Sequence, residues 1–168
     1  MGGMRYFTMR KTKINLLYGS GDVLDTHLNL DPFTAEETDA LIRADVKNLN
    51  DFVDDAEAEE IIALDVIDYM PLRDINTVIE HWVSKLRHGG SLIIGGVDLL
   101  EVSKAFVQYR LDITQINQLV HGEQSKPYLV KRVNFTATGL VDYLTDLGLK
   151  LQKKRVNNFH MTIEATRP

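Results

Sequence analysis

Cysteine is absent from this chain. That excludes disulfides, thiolate metal sites and cysteine nucleophilic chemistry, and it leaves the redox compartment open. Uninterrupted apolar runs reach only a few residues, far short of the ~20 that cover a bilayer, so no membrane span is predicted. No Gly-x-Ser-x-Gly elbow and no Walker loop occurs, which removes the common hydrolase and kinase signatures. Internal repeats and low-complexity tracts are missing as well. His27, His81, His88 and His160 lack ligand spacing, so no metal site is expected. Nor is there an excess of basic residues: the formal net charge is −5, which argues against a broad face for a nucleic-acid backbone.

What is present suits one buried core. At 168 residues with 44% hydrophobic content, the chain predicts a single domain over 14–168 behind an N-terminal arm at 1–13. The arm carries Arg5, Arg10, Lys11 and Lys13 with no acid. Its start, Met1-Gly2-Gly3-Met4-Arg5-Tyr6, has Tyr6 where a myristoylation signal wants Ser or Thr, and no apolar segment for secretion follows. A soluble, cytoplasmic protein is the expectation. A homo-oligomer stays open.

The organising stretch is Lys13-Ile14-Asn15-Leu16-Leu17-Tyr18-Gly19-Ser20-Gly21-Asp22, followed by Leu28-Asn29-Leu30-Asp31 and Arg43-Ala44-Asp45-Val46. An apolar strand breaks at a Gly-x-Gly turn, and two further apolar runs each end in an acid. Two glycines at a strand's carboxyl end let bare amides approach a ligand, and an acid closing the next strand can accept from ribose hydroxyls. Asp31 holds that place. Asp45 could accept from a purine amine or shape the pocket through its backbone. A plain glycine hairpin turn is the alternative, but Ile14 to Tyr18 reads nearly all apolar, as a strand covered on both faces does.

Only about five residues separate Gly21 from the strand beginning near His27, too few for a full crossover helix. Thr34-Ala35-Glu36-Glu37 has capping-box spacing and predicts a short helix to about Leu41, before a third strand at 42–46. The acid-rich run from Glu36 to Glu60 reads as a solvated surface. Ile61 to Ile67 predicts a buried strand, and the three- and four-residue spacing from Leu72 through Leu86 predicts a helix over 72–88 that Gly89-Gly90 stops. Ser91 to Val97 is the next strand and 99–109 the next helix. Asp112 caps a short helix to Val120, Gln124 to Asn134 has no period, and 111–134 reads as a cap over the ligand crevice. Thr136 or Thr138 starts the last helix. The strands 149–156 and 159–166 then form a hairpin around Asn157-Asn158.

This order of elements, with Leu-Leu-Tyr-Gly-Ser-Gly, Leu-Asn-Leu-Asp, Ala-Asp-Val, Ile-Ile-Ala-Leu-Asp-Val-Ile-Asp-Tyr-Met-Pro and His-Gly-Gly-Ser-Leu-Ile-Ile-Gly-Gly-Val-Asp, resembles the small class I S-adenosylmethionine-dependent methyltransferases. The resemblance spans Ile14 to Thr166. It implies an α/β, three-layer, Rossmann-like fold with a mostly parallel seven-stranded sheet and one antiparallel strand, and S-adenosylmethionine as cofactor. It further implies cofactor contacts at Tyr18, Gly19, Ser20, Gly21, Asp31, Asp45, Val46, Leu64 and Asp65. Three positions depart from the family pattern: Leu17 stands where an acid or amide is common, the third glycine is missing, and Asp68-Tyr69 replaces a common Glu-His.

The function this implies is methyl transfer to a small-molecule or glycan-type acceptor. Such a displacement asks the protein chiefly to position the acceptor and, where needed, take its proton. Candidate groups are Asp65, Asp68, Tyr69, Asp98, His121 and Tyr128, with Asp68, Tyr69 and His121 as the catalytic set. Each has a structural reading: Asp68 and Asp98 as caps, Tyr69 in the core, His121 on a solvated helix end. The departures motivate a second class, a non-catalytic interaction or assembly module with the same fold. A dinucleotide oxidoreductase ranks third, because Leu24 stands where the last glycine of Gly-x-Gly-x-x-Gly belongs.

Overall fold

A computed structural model describes residues 11–168; most of the basic arm therefore lies outside the described residues. Its last position, Lys13, opens β1 (Lys13–Leu16), whose Ile14, Asn15 and Leu16 are all buried. Then follow β2 (Leu28–Leu30), β3 (Leu41–Ile42), β4 (Ala58–Leu64), α1 (Ile75–Lys85), β5 (Leu86–Val97), α2 (Leu99–Val107), α3 (Ile113–His121), α4 (Ala137–Asp146), β6 (Lys150–Asn157) and β7 (His160–Thr166).

The strands form one seven-stranded sheet in the order β3-β2-β1-β4-β5-β7-β6. Every pairing from β3 through β5 is parallel, and β7 alone is reversed, antiparallel to both β5 and β6. Helices cover it, with Ile75, Val78, Ile79 and Trp82 of α1 and Leu140 and Leu144 of α4 joining the buried core of Ile14, Leu16, Ile61, Leu92 and Ile94. The chain leaves β1 toward β2 on one side and returns to β4 on the other. That reversal makes the carboxyl ends of β1 and β4 the place where such sheets open a ligand crevice.

The short link after the glycine turn is real, and the strands are parallel all the same: Ile14 pairs with Leu28 and Leu16 with Leu30. No helix makes the crossing. Instead two buried asparagines hold an irregular loop, Asn15 Nδ2 donating to Asp22 O (2.8 Å) and to Asn29 Oδ1 (2.8 Å), and Asn29 Oδ1 accepting from Leu24 N (2.9 Å). These bonds satisfy backbone groups that a helix would have satisfied itself.

Several sequence expectations need correction. No helix forms over 34–41. Thr38 Oγ1 accepts from Ala40 N and Leu41 N, and Glu37 Oε1 from Arg43 N, so side chains compete for the amides a helix would need, in a segment too short to nucleate one. The third strand is Leu41–Ile42, not 42–46, and β4 ends at Leu64, not Ile67. α1 stops at Lys85 rather than His88, because Leu86 turns extended and pairs with Ala58. Gly89 and Gly90 therefore lie inside β5, where a Cβ on Gly90 would sit 2.7 Å from Ala58 O. The hairpin turns one residue later than expected, at Asn158 and Phe159, both with positive φ (47° and 67°). The acid-rich run is only partly a solvated face: Val46, Leu49 and Val53 are buried, and Trp82 Nε1 donates to Val46 O at 2.9 Å.

Candidate functional site

The site begins with the bonds Asp31 makes. Just past β2 and 7% exposed, its Oδ1 accepts from Gly19 N (3.0 Å) and from Phe33 N (2.9 Å). The glycine turn after β1 and the acid after β2 are thereby joined at one point, and both bonds fall on one oxygen, leaving Oδ2 for another donor. Gly19 has φ 79°, a conformation glycine adopts at little cost.

Four aromatic rings gather around that point. Tyr18 meets Phe33 edge to face (centroids 4.8 Å) and stacks on Tyr69 (5.6 Å), while Phe33 stacks on Tyr128 at 3.8 Å and 4°. On one side of this wall lies a hollow of about 450 Å³ lined by Tyr18, Pro32, Phe33 and Ala44 together with the charged Arg43, Asp45 and Lys47. On the other, under α3, lies a cleft of about 480 Å³ lined by Ser20, Asp65, Tyr69, Gln118, Phe159 and His160 among others. A third groove of about 300 Å³, bordered by Leu17, Ser20, Gly21, Leu64 and Asp65, marks the crevice between β1 and β4. Ser20 and Asp65 border both groove and cleft. Asp65 itself has φ 54°, a conformation uncommon outside glycine, and caps β4 by donating its amide to Gly95 O.

Electrostatics differ sharply across the cleft. Burial pushes the Asp68 carboxyl up to about 6, against the pull of Lys131, while Asp65 adds a repulsion that raises it further. Its Oδ2 lies 3.6 Å from Lys131 Nζ, whereas Oδ1 completes no hydrogen bond; the nearby Val97 amide favours the anion without closing one. Gly96 makes this packing possible, since a Cβ there would meet the carboxylate at 2.6 Å. Tyr69 is pushed up to about 12, first by burial and then by Asp65, Asp68 and Glu123, so its phenol keeps its proton at neutral pH. His160 Nδ1 lies 2.9 Å from Asn158 O. A carbonyl can only accept, so Nδ1 carries the proton and Nε2 is the basic nitrogen of the neutral ring.

Of the residues singled out in the sequence, Tyr18, Gly19, Ser20, Gly21, Asp31, Asp45, Leu64 and Asp65 come together at the strand ends. Val46 does not: it is 1% exposed, in the core. Among the catalytic candidates Tyr69 reaches the cleft wall and Asp68 lies buried beside Lys131, which itself lines the cleft. His121 is exposed at the end of α3 and is not among the cleft's lining residues. Asp98 accepts from Leu100 N as the cap of α2, its structural reading. Sequence reasoning missed Phe159, His160, Gln118 and Lys131. The hairpin offered a signal for the first two, because an antiparallel final strand must begin at the carboxyl edge of its parallel neighbours.

No family model matches the chain, and no curated protein matches it in sequence. Solved structures match its fold. A S-adenosylmethionine-dependent methyltransferase of Thermotoga maritima is 15% identical at a TM-score of 0.58, over 93% of this chain and 82% of that one. The 1,6-didemethyltoxoflavin-N1-methyltransferase of Burkholderia thailandensis, solved with S-adenosylhomocysteine, is 12% identical at 0.59, over 92% and 70%. Magnesium protoporphyrin IX methyltransferase of Synechocystis, also with S-adenosylhomocysteine, is 14% identical at 0.54, over 93% and 74%. Other matched structures are longer, and the chain spans 44%, 66% and 51% of three of them. The fold is thus that of the S-adenosylmethionine-dependent methyltransferases.

The donor set fits an adenosyl group: a buried carboxylate with one oxygen to spare, a glycine turn, and a hollow that pairs the flat faces of Tyr18 and Phe33 with the charged Arg43, Asp45 and Lys47. The glycine cradle itself is taken by the protein, since a Cβ on Gly19 would meet the Tyr128 ring at 2.5 Å.

Proposed function

We propose that this chain binds S-adenosylmethionine across the carboxyl ends of β1, β2 and β4 and transfers its methyl group to a small-molecule or glycan-type hydroxyl in the cleft under α3. The observation that carries this reading is Asp31 Oδ1 accepting from both Gly19 N and Phe33 N, which joins the turn and the acid beside the hollow that Tyr18, Pro32 and Phe33 border. Asp31 Oδ2 would hold ribose hydroxyls, Phe33, Ala44 and Asp45 would flank the purine, and Ser20, Gly21, Leu64 and Asp65 would border the methionine end. When bound, the cofactor supplies an electrophilic methyl on a sulfonium, the C–S bond breaking as the O–C bond to the acceptor forms and S-adenosylhomocysteine remains.

The protein's own part is placement and proton removal. The Gln118 amide, the Asp65 and Glu123 carboxylates and the faces of Tyr69 and Phe159 line the cleft together, a mixture suited to a polyhydroxylated acceptor. His160 Nε2 takes the acceptor proton. Tyr69 keeps its own proton and donates a hydrogen bond. Asp68 lies too deep to touch an acceptor and acts through the charge of Lys131.

The test is calorimetric titration of S-adenosylhomocysteine into the natural protein and Asp31→Asn. The amide keeps an oxygen for the Gly19 and Phe33 amides but loses the second acceptor, so the variant should stay folded and bind about tenfold more weakly, a loss of about 1.4 kcal/mol. No heat from either protein at about 1 mM ligand would remove the proposal.

A further inference from the structure

We propose that Tyr128 is an internal occupant of the cofactor crevice: its ring, stacked on Phe33 and seated over Gly19, holds the place of a flat ligand ring, and it must leave before an adenosyl group can bind. The inference rests on the adenosyl-binding reading above and adds a gate to it.

Three observations meet at this ring. Tyr128 covers Gly19 so closely that a Cβ there would lie 2.5 Å from its Cε2 and 3.2 Å from its Cδ2. It also lies parallel to Phe33 at 3.8 Å. Gly19 and Phe33 are the two residues whose amides converge on Asp31 Oδ1, so Tyr128 lies over the groups that would receive a nucleoside. The hollow bordered by Phe33 and Asp45 and the cleft bordered by Tyr69 and Asp65 share no lining residue. The stacked pair of Tyr18 and Tyr69 separates them. A ligand long enough to reach from one to the other passes over Gly19, where the Tyr128 ring stands. The stack itself favours exchange: two phenyl-type rings prefer an offset or edge-on arrangement to a close face-to-face one, whereas a heterocyclic base stacks readily on an aromatic face.

The loop that carries Tyr128 is tied at its neck and exposed at its tip. Lys131 N donates to His121 O (3.1 Å) and Gln124 N to Leu129 O (3.2 Å), and Lys131 Nζ donates to Leu119 O (3.1 Å) beside Asp68. Leu129 is 4% exposed and anchors the returning strand of the loop. Residues 123–127, by contrast, are all exposed. Gly122 and Gln124 have positive φ (82° and 58°) at the loop's start, Pro127 has no amide to donate, and the one backbone bond within the tip, Leu129 N donating to Lys126 O (3.0 Å), closes a turn around Pro127 and Tyr128. The Tyr128 ring can therefore swing out, by its side chain or with its turn, while the neck stays closed.

Two measurements test this with S-adenosylhomocysteine as probe. In calorimetric titrations, Tyr128→Ala should bind at least about tenfold more tightly than the natural protein, and Tyr128→Phe should match it, because the ring rather than the hydroxyl fills the place. Tyr128→Ala binding equally or more weakly, with both proteins binding, overturns the gate and leaves the cofactor reading standing. Silence from all three proteins at about 1 mM removes the cofactor reading and the gate together. The second measurement needs no variant: hydrogen exchange by mass spectrometry on the natural protein should show residues 123–128 exchanging faster with the ligand and residues 17–21 more slowly. Slower exchange at 123–128 would make the loop a lid that closes on the ligand, and would overturn the proposal.

Discussion

Asp68 is a carboxyl that the fold holds at a cost. Its pKa of about 6 in the folded protein lies above the ordinary 3.8. Between those values the folded state keeps the proton more tightly than the unfolded chain, so stability falls as pH rises through that window and the loss then stays constant. Asp68→Asn removes the charge and keeps the shape beside Gly96. In urea denaturation it should be more stable than the natural protein by about 1–3 kcal/mol at about pH 8, with the difference shrinking toward about pH 4. A variant less stable at about pH 8 would show that Lys131 outweighs burial. At His160 the expectation is chemical. His160→Gln should leave S-adenosylhomocysteine affinity unchanged and lower methyl transfer by about a hundredfold, and nitrogen-detected spectra of the natural protein should show the proton on Nδ1. A proton on Nε2 instead would remove His160 as base.

Among the four helices α1 to α4, α3 is the least anchored. None of its residues is fully buried, and its start depends on a capping box in which Asp112 Oδ1 accepts from Gln115 N (2.8 Å) and Gln115 Oε1 from Asp112 N (2.9 Å). Asp112→Ala should cost α3 about 1 kcal/mol, read as faster amide exchange over 113–121 with the global midpoint almost unmoved. Trp82→Ala is the counterpart: a fully buried ring with a bond to Val46 O, whose loss should cost about 3–5 kcal/mol in urea denaturation. The same contrast explains what the sequence made legible. α3, α4 and their caps at Asp112 and Thr136 were readable because local side-chain chemistry defines them. The end of α1 was not, since it is decided by Leu86 pairing with Ala58, a contact distant in sequence. At 34–41 the local signal misled: Thr34 and Glu37 had the right spacing, but Glu37 found Arg43 N instead.

At the scale of the molecule, the strand order places the glycine turn after β1, Asp31 after β2 and Asp65 after β4 at one edge of the sheet, and these were legible because strand ends and acids carry their own pattern. The aromatic wall was not, because Tyr18, Phe33, Tyr69 and Tyr128 come from four separate segments and meet only through the fold. The opposite limit of the sheet is β6, fully exposed and carrying Lys150, Lys153, Lys154 and Arg155, charges that discourage pairing with another strand. No described helix is long and apolar enough to cross a membrane. The account turns on one place in this molecule, the meeting of Gly19, Asp31 and Phe33, and nuclear magnetic resonance addresses it directly. Titration of S-adenosylhomocysteine into nitrogen-labelled protein should move the amides of Gly19, Ser20, Gly21, Phe33 and Asp45 together, and leave those of β6 in place. Shifts confined to other surfaces, or none at about 1 mM, would contradict it.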